Sequence, residues 1–327
     1  MTRVAVVGAG VMGRAAAWAL TGRGADVTVF EQFDLDHVRG SSHGRSRIVR
    51  LAYPEAHWVR LAAEAMAGWR ELEAQSGTEL LGLYGLVELA SSPELTSAAE
   101  LDACGAPYRP LDAVAARQLG VVLPASWTAL HQPEAGVVRA DLASRAFLDL
   151  AVARGARVET GRRVASLDEL DADVVVVTAG AWATSLVPEL PVRVTRETVA
   201  YFRREGPPAP SVVELDDATG GHALYALYDP VFGLKAGVHH AGAEADPDAD
   251  GSPDPALVAR VAGWVRERLP GVDPEPVKSD TCLYTSTVDE EFVLERRGRV
   301  VVGSACSGHG FKFAPAVGRR LAALALA

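Results

Sequence analysis

A chain of 327 residues, 49% hydrophobic and 23% charged, can bury a substantial core and is long enough for two domains. Its net charge of -10 argues against a nucleic-acid partner or an anionic membrane surface, either of which needs a clustered basic face. Cys104, Cys282 and Cys306 make neither a disulfide framework nor a zinc cluster, and no apolar run is long enough to span a bilayer, so a cytoplasmic protein without a metal site is expected.

Residues 3 to 32 read as strand, glycine turn, helix, strand. Val4 to Val7 enter the turn at Gly8, an alanine-rich helix closes near Gly22-Arg23-Gly24, and Val27 to Phe30 form the next strand. Val59, Ala62, Met66, Trp69 and Leu72 recur at helical spacing and predict a second helix that Ser76-Gly77 stops. A third helix is predicted over Leu142 to Arg154, ending at Gly155. Val174 to Val177 is an unbroken β-branched run suited to a buried parallel strand, so the sheet begun at residue 3 resumes there. Segments 81–136 and 191–288 are rich in alternating and aromatic strand residues and suggest an antiparallel second domain. The expected architecture is therefore α/β, with the two domains interleaved along the chain. One domain takes 1–80, 136–190 and 289–327, and the other takes 81–135 and 191–288. Asp246-Pro-Asp248-Ala-Asp250-Gly251 opens like a calcium loop, but Leu257 stands where the twelfth-position glutamate is needed, so a solvated acidic loop is expected.

Gly8-Ala-Gly10-Val-Met-Gly13 matches G-x-G-x-x-G between a strand and a helix start. Such glycines allow a tight turn, a close approach of backbone to a pyrophosphate, and close packing of helix on strand, while the helix N-terminus favours the phosphate charge. Glu31, at the end of the second strand, suits an unphosphorylated ribose, which favours FAD or NAD over NADP.

Several further segments bear on that choice: Gly40-Ser-Ser-His-Gly-Arg-Ser-Arg-Ile-Val-Arg50 with Tyr53-Pro54-Glu55, Val177-Thr-Ala-Gly-Ala-Trp182, and Gly233-Leu-Lys-Ala-Gly-Val-His239. Cys282-Leu-Tyr-Thr285 with Asp289-Glu290, and Ser307-Gly-His-Gly-Phe-Lys312, complete the set. In type and order these segments resemble the monomeric sarcosine oxidase, N-methyltryptophan oxidase and pipecolate oxidase family of flavoenzymes. The chain departs from the family pattern in being short between about 91 and 135, in ending soon after its last helix, and in carrying Cys306 where relatives have a bulky apolar residue.

The resemblance implies a D-amino-acid oxidase-like fold, in which a Rossmann-type FAD-binding domain interleaves with an antiparallel-sheet substrate domain. Implied FAD contacts are Gly8, Gly10, Val11, Met12, Gly13, Glu31, Gln32, Ser41, Ser42 and Arg47, followed by Val164, Gly180, Cys282, Gly308, Gly310 and Lys312. Read alone, Cys282 is a buried structural cysteine; the resemblance implies that it forms a thioether to the flavin. Alternation along extended strands puts Lys235 and His239 on one face with His240 turned away, and likewise pairs Cys282 with Tyr284.

Arg47, Arg50, Lys235 and Lys312 are cations in an otherwise acidic chain. By resemblance Arg47 lies against the flavin, Arg50 and Lys312 hold a substrate carboxylate, and Lys235 serves oxygen activation. A planar guanidinium bonds both carboxylate oxygens, which makes Arg50 the better fork. His239 and His309 are candidates to bind the amine or tune its protonation, Tyr284 shares the Cys282 face, and Tyr225 is a candidate pocket wall or hydroxyl donor. The expected activity is FAD-dependent oxidation of the C–N bond of a secondary amino acid to an imine, with dioxygen reduced to hydrogen peroxide by a monomeric enzyme. Its partners are a small carboxylate-bearing amine and molecular oxygen. The alternatives are a flavin-dependent desaturase of a cyclic biosynthetic intermediate, a nicotinamide-dependent dehydrogenase and a non-catalytic flavin-binding protein.

Overall fold

The computed structural model describes residues 1–216 and 223–327; residues 217–222, within the expected 191–288 segment, lie outside the described residues. A six-stranded sheet has the order Val293–Arg297, Val300–Ser304, Val174–Val177, Arg3–Val7, Asp26–Phe30 and Arg157–Glu159. Every pairing in it is parallel except that of the first two strands, and Val4 stands opposite both Val174 and Val27. Val4 to Val7 and Val174 to Val177 are buried throughout, as a β-branched run covered on both faces must be.

The helix Val11–Thr21 is buried along its whole length, between the helices Ala140–Ala153 and Ala314–Leu326. Small residues make such sandwiching possible. A Cβ on Gly318 would stand 2.5 Å from Ala15 O, and one on Gly13 would stand 1.9 Å from Gly8 O. The long helix Ala56–Ser76 ends as predicted, with Gly77 in the left-handed region at φ 66°. It packs on Ala314–Leu326 through Gly68, where a Cβ would meet the Pro315 side chain at 2.4 Å.

The second sheet has nine strands. Its order is Ala243–Glu244, Arg193–Arg203, Gly233–Val238, Leu224–Asp229, Ser211–Leu215, Leu86–Ala90, Thr128–Gln132 and Arg109–Pro110, with Pro276–Ser286 also paired to Arg193–Arg203. A small antiparallel sheet of Ser46–Val49, Gly136–Arg139 and Leu81–Gly82 lies apart from both.

Two details differ from the sequence reading. Ser211–Leu215 pairs with Leu86–Ala90 in parallel, because those strands reach each other through long connections and not a hairpin. The expected strand-rich segments also carry helices at Ala98–Ala103, Ala113–Gln118 and Pro255–Arg268. Asp112 and Asp254 start the last two by accepting N–H bonds from Ala115 and Ala256. The acidic loop has its three aspartates exposed, as expected, and is also anchored: Asp248 accepts from Trp182 Nε1 at 2.7 Å and pairs with Arg163, and Asp250 pairs with Arg39. No helix among the described residues is long and apolar enough to cross a membrane.

Candidate active site

One cavity of about 580 Å³ runs from the glycine turn of the first sheet to the inner faces of Gly233–Val238 and Pro276–Ser286 in the second. Every sequence-predicted site residue lines it except Gly13. The exception is physical: Gly13 faces Gly8 O and Thr178 Oγ1, so its lack of a side chain serves close helix-to-strand packing and not ligand contact. At the other end of the turn Gly8 has φ 101° and would drive a Cβ to within 2.5 Å of Thr178 O.

The cradle suits a dinucleotide. Gly10 precedes the helix without a side-chain cap, leaving the positive end of that helix towards the cavity, and Val11 N donates to Ser42 Oγ at 3.0 Å. Glu31 lines the cavity beside Gln32 and also braces the turn, accepting from Ala9 N at 2.8 Å and Phe33 N at 3.0 Å. Val164 and Gly180 line the same end. Arg14, which the sequence reading passed over, is buried against it and donates to Ala9 O and Leu35 O.

The loop that follows is held by its own arginine. Arg47 donates through Nη2 to Ser41 O at 2.8 Å and His43 O at 2.6 Å, and its guanidinium stands over the Phe311 ring. Ser41 Oγ donates to Leu283 O and accepts from Cys306 Sγ at 3.7 Å, tying that loop to the strand that carries Cys282.

Strand alternation works as expected for Lys235, Cys282 and Tyr284, whereas His240, expected to turn away from His239, brings its ring within 4.1 Å of that neighbour. Lys235 and His239 line the cavity and His240 does not; Cys282 and Tyr284 line it, while Leu283 packs behind with Ala181 and Trp182. Burial lowers the Lys235 amine to about 7, with Arg47 adding repulsion. Burial also pushes the Cys282 thiol up, and it raises the Tyr284 and Tyr225 phenols, which therefore stay protonated donors. His239 Nδ1 stands 3.4 Å from Tyr284 Oη. Gly308, at φ 69°, fits beneath both rings: a Cβ there would meet Tyr284 Cε2 at 2.3 Å and His239 Cε1 at 2.4 Å.

A second group of cations forms the remaining wall. Lys312 Nζ donates to Tyr53 Oη at 2.8 Å and His309 O at 2.7 Å, and Arg50 stacks its guanidinium 4.6 Å above the same Tyr53 ring. Burial, then repulsion from Arg50, holds the Lys312 amine well below its ordinary value. Burial likewise holds His239 and His309 well below theirs, so both imidazoles are neutral at pH 7. His309 Nδ1 is 3.2 Å from Tyr53 Oη. Behind Arg50, outside the cavity, Glu88 is fully buried with Oε2 at 4.0 Å from Nη1, and accepts from Ser97 N and Oγ. From the far side Trp69 Nε1 donates to Lys312 O at 2.7 Å.

The family profile described as FAD dependent oxidoreductase matches residues 3–324. The chain belongs to this family. It is 33% identical to mouse peroxisomal sarcosine oxidase, covering 98% of this chain and 91% of that protein. It is 31% identical to monomeric sarcosine oxidase of Bacillus sp. strain B-0618, covering 99% and 92%. Among solved structures, NikD, titled an unusual amino acid oxidase essential for nikkomycin biosynthesis, superposes with a TM-score of 0.87 at 27% identity, covering 100% of this chain and 94% of that one. By that membership the protein is an FAD-dependent amino-acid oxidase with the expected D-amino-acid oxidase-like fold.

The sequence reading missed as site residues Tyr53, Glu88 and Arg14. Tyr53 stood inside a motif already quoted, and its place five positions before the apolar helix face of Trp58 and Val59 is the one signal it offered. Glu88 offered the signal of an acid in an apolar strand, Leu86-Val-Glu-Leu-Ala90.

Proposed function

We propose that this oxidase acts on a secondary amino acid, either N-methyl or cyclic, converting its C–N bond to an imine and passing two electrons and two protons to dioxygen as hydrogen peroxide. The observation that carries the reading is the pair of cations Arg50 and Lys312 on the cavity wall beside His239, in the cavity that begins at the glycine turn. When bound, FAD supplies the electron acceptor for the amine and the donor for oxygen.

In this reading the chain's own groups divide the work. Arg50 offers a planar fork to the substrate carboxylate, and Lys312, oriented by Tyr53 Oη and His309 O, adds a second donor. Neutral His239 accepts the hydrogen bond or the proton of the substrate ammonium, freeing the nitrogen lone pair that the oxidation needs, while His309, donating from Nε2 to Glu290 O with Nδ1 beside Tyr53 Oη, assists binding by bracing the Lys312 wall. Tyr284 and Tyr225, kept as phenols, close the pocket and donate. Lys235, with its amine at about 7, supplies positive charge at neutral pH where electrons pass to oxygen.

The reading includes covalent attachment of FAD through Cys282, supported by its position in the cavity wall on the Tyr284 face. It also includes a division into an FAD-binding domain (1–80, 136–190 and 289–327) and a substrate domain (81–135 and 191–288), supported by the strand membership of the two large sheets. We place the enzyme in the cytoplasm as a monomer, supported by three free cysteines and by the bacterial relatives named monomeric. A second reading, oxidation of a cyclic intermediate in biosynthesis, is favoured by the likeness to NikD across the full chain.

The test is a peroxide-coupled screen of N-methyl amino acids, cyclic imino acids and the same amines without a carboxylate. Peroxide from the acids and little from the plain amines is expected. A flavin-loaded protein that neither bleaches nor makes peroxide with any of them refutes the proposal, and activity confined to unsaturated cyclic substrates favours the second reading.

A further inference from the structure

Three metal-ligating side chains meet just outside the cation wall. His239, His240 and Glu290 each present one ligand atom, and all three atoms lie within 4.8 Å of one another. The two histidines are sequence neighbours, and neighbours in a regular strand point to opposite faces. They converge here because both lie past the end of the strand at Val238, where His240 takes the left-handed region at φ 56° and stacks its ring edge-on 4.1 Å from that of His239. Glu290 reaches the same point from another loop, also left-handed at φ 60°. Two of the four non-glycine residues with positive φ among the described residues thus serve one cluster.

His240 Nε2 is buried and makes no hydrogen bond among the described residues; Glu290 Oε1 stands 3.3 Å away, at ion-pair distance but outside hydrogen-bond geometry. A buried imidazole nitrogen that lacks a hydrogen bond and faces a carboxylate is a position that a metal ion satisfies. A tetrahedral zinc ion holds its ligand atoms roughly 3.4 Å apart, so the set closes around one with a small swing of Glu290, whose side chain is half-exposed. Two imidazoles with one carboxylate select zinc or a similar transition metal over calcium or magnesium. His239 already carries the outer contact such ligands use, its Nδ1 lying beside Tyr284 Oη.

We propose that His239, His240 and Glu290 form a reversible zinc site that switches amine oxidation off. The consequence rests on the role of His239 proposed above: with its lone pair on the metal, His239 no longer receives the substrate amine. The nearby guanidinium of Arg50 weakens the hold on a dication, which makes the site one that fills and empties and not a permanent structural centre.

Zinc chloride is titrated into the holoenzyme, with a chromophoric chelator reporting free metal. One zinc per chain is expected, with binding weakened at least ~10-fold in His240→Ala and in Glu290→Gln. Neither substituted residue belongs to the proposed oxidation machinery, so both variants should turn over normally without metal and lose their sensitivity to it. Absence of binding in the wild type, or binding undiminished in both variants, overturns the site. Zinc that binds here without slowing anaerobic flavin bleaching by substrate overturns the inhibitory role. The binding measurement stands whether or not the substrate proposal holds.

Discussion

Replacing Lys235 by Met is expected to yield a protein that is more stable and yet nearly inert towards oxygen. Lys235 is 7% exposed, and its amine is held at about 7 against an ordinary 10.5, a difference of 10.5 - 7 = 3.5. At ~1.4 kcal/mol per pH unit, that burial costs the folded flavin-free chain at most ~4 kcal/mol at pH 7. The unfolded chain keeps the lysine proton up to 10.5 while the folded chain releases it from about 7, so the unfolded state binds more protons across that window. Stability contributed at this position therefore rises with pH, and methionine, of similar length and without charge, removes the penalty. Urea unfolding of the flavin-free proteins should show the variant ahead by up to ~4 kcal/mol at pH 7, with the gap closing to ~1 kcal/mol by pH 9.5. Stopped-flow mixing of the substrate-bleached holoenzyme with oxygen should then show a loss of ~100-fold or more, while anaerobic bleaching changes only a few-fold. A stability gap that ignores pH would refute the burial argument. Equal slowing of both half-reactions would remove Lys235 from the oxygen step.

Arg50→Ala should cost carboxylate substrates ~2 to 4 kcal/mol in kcat/KM, and amines lacking a carboxylate much less, since only the former lose a desolvated partner; equal losses would show that Arg50 reads something else. Acid precipitation should leave the yellow colour on the wild-type polypeptide and release it from Cys282→Ala. Flavin freed wholly from the wild type would end the thioether proposal and leave FAD binding untouched. Gly13→Ala should cost ~1 to 3 kcal/mol in stability, because the new methyl meets Gly8 O at 1.9 Å and the helix must back away. Thermal unfolding measures this, and an unchanged midpoint would mean that the helix accommodates the methyl at no cost.

Features written in consecutive residues were legible in the chain. The glycine turn, the buried run Val174 to Val177 and the alternation of Lys235 with His239 each depend on local geometry alone, and each lies where local geometry put it. Strand direction was harder, since the Leu86–Ala90 pattern looks the same beside a parallel or an antiparallel neighbour. Contacts across the fold were not legible. Tyr53 and Lys312, which share a hydrogen bond, are 259 positions apart, and Glu88 joins Arg50 only once the second sheet packs behind the loop. The convergence of His239 and His240 escapes the alternation rule, because the pair lies past the strand's end at Val238 and His240 is itself left-handed. Gly13 belonged to a recognisable motif, but only packing distinguishes the glycine that spaces the helix from those that face the cavity.

The helix Ala56–Ser76 contributes no side chain to the cavity, yet Trp69 clasps the peptide from which Lys312 departs, and Gly68 seats the helix against Pro315 three residues later. The position of the Lys312 amine on the cavity wall is thus written partly in a helix that lines no part of that cavity. Anyone selecting variants of this enzyme for new amines should recover changes there, as readily as in the pocket lining, and should read them as adjustments to where the lysine stands and not as passengers.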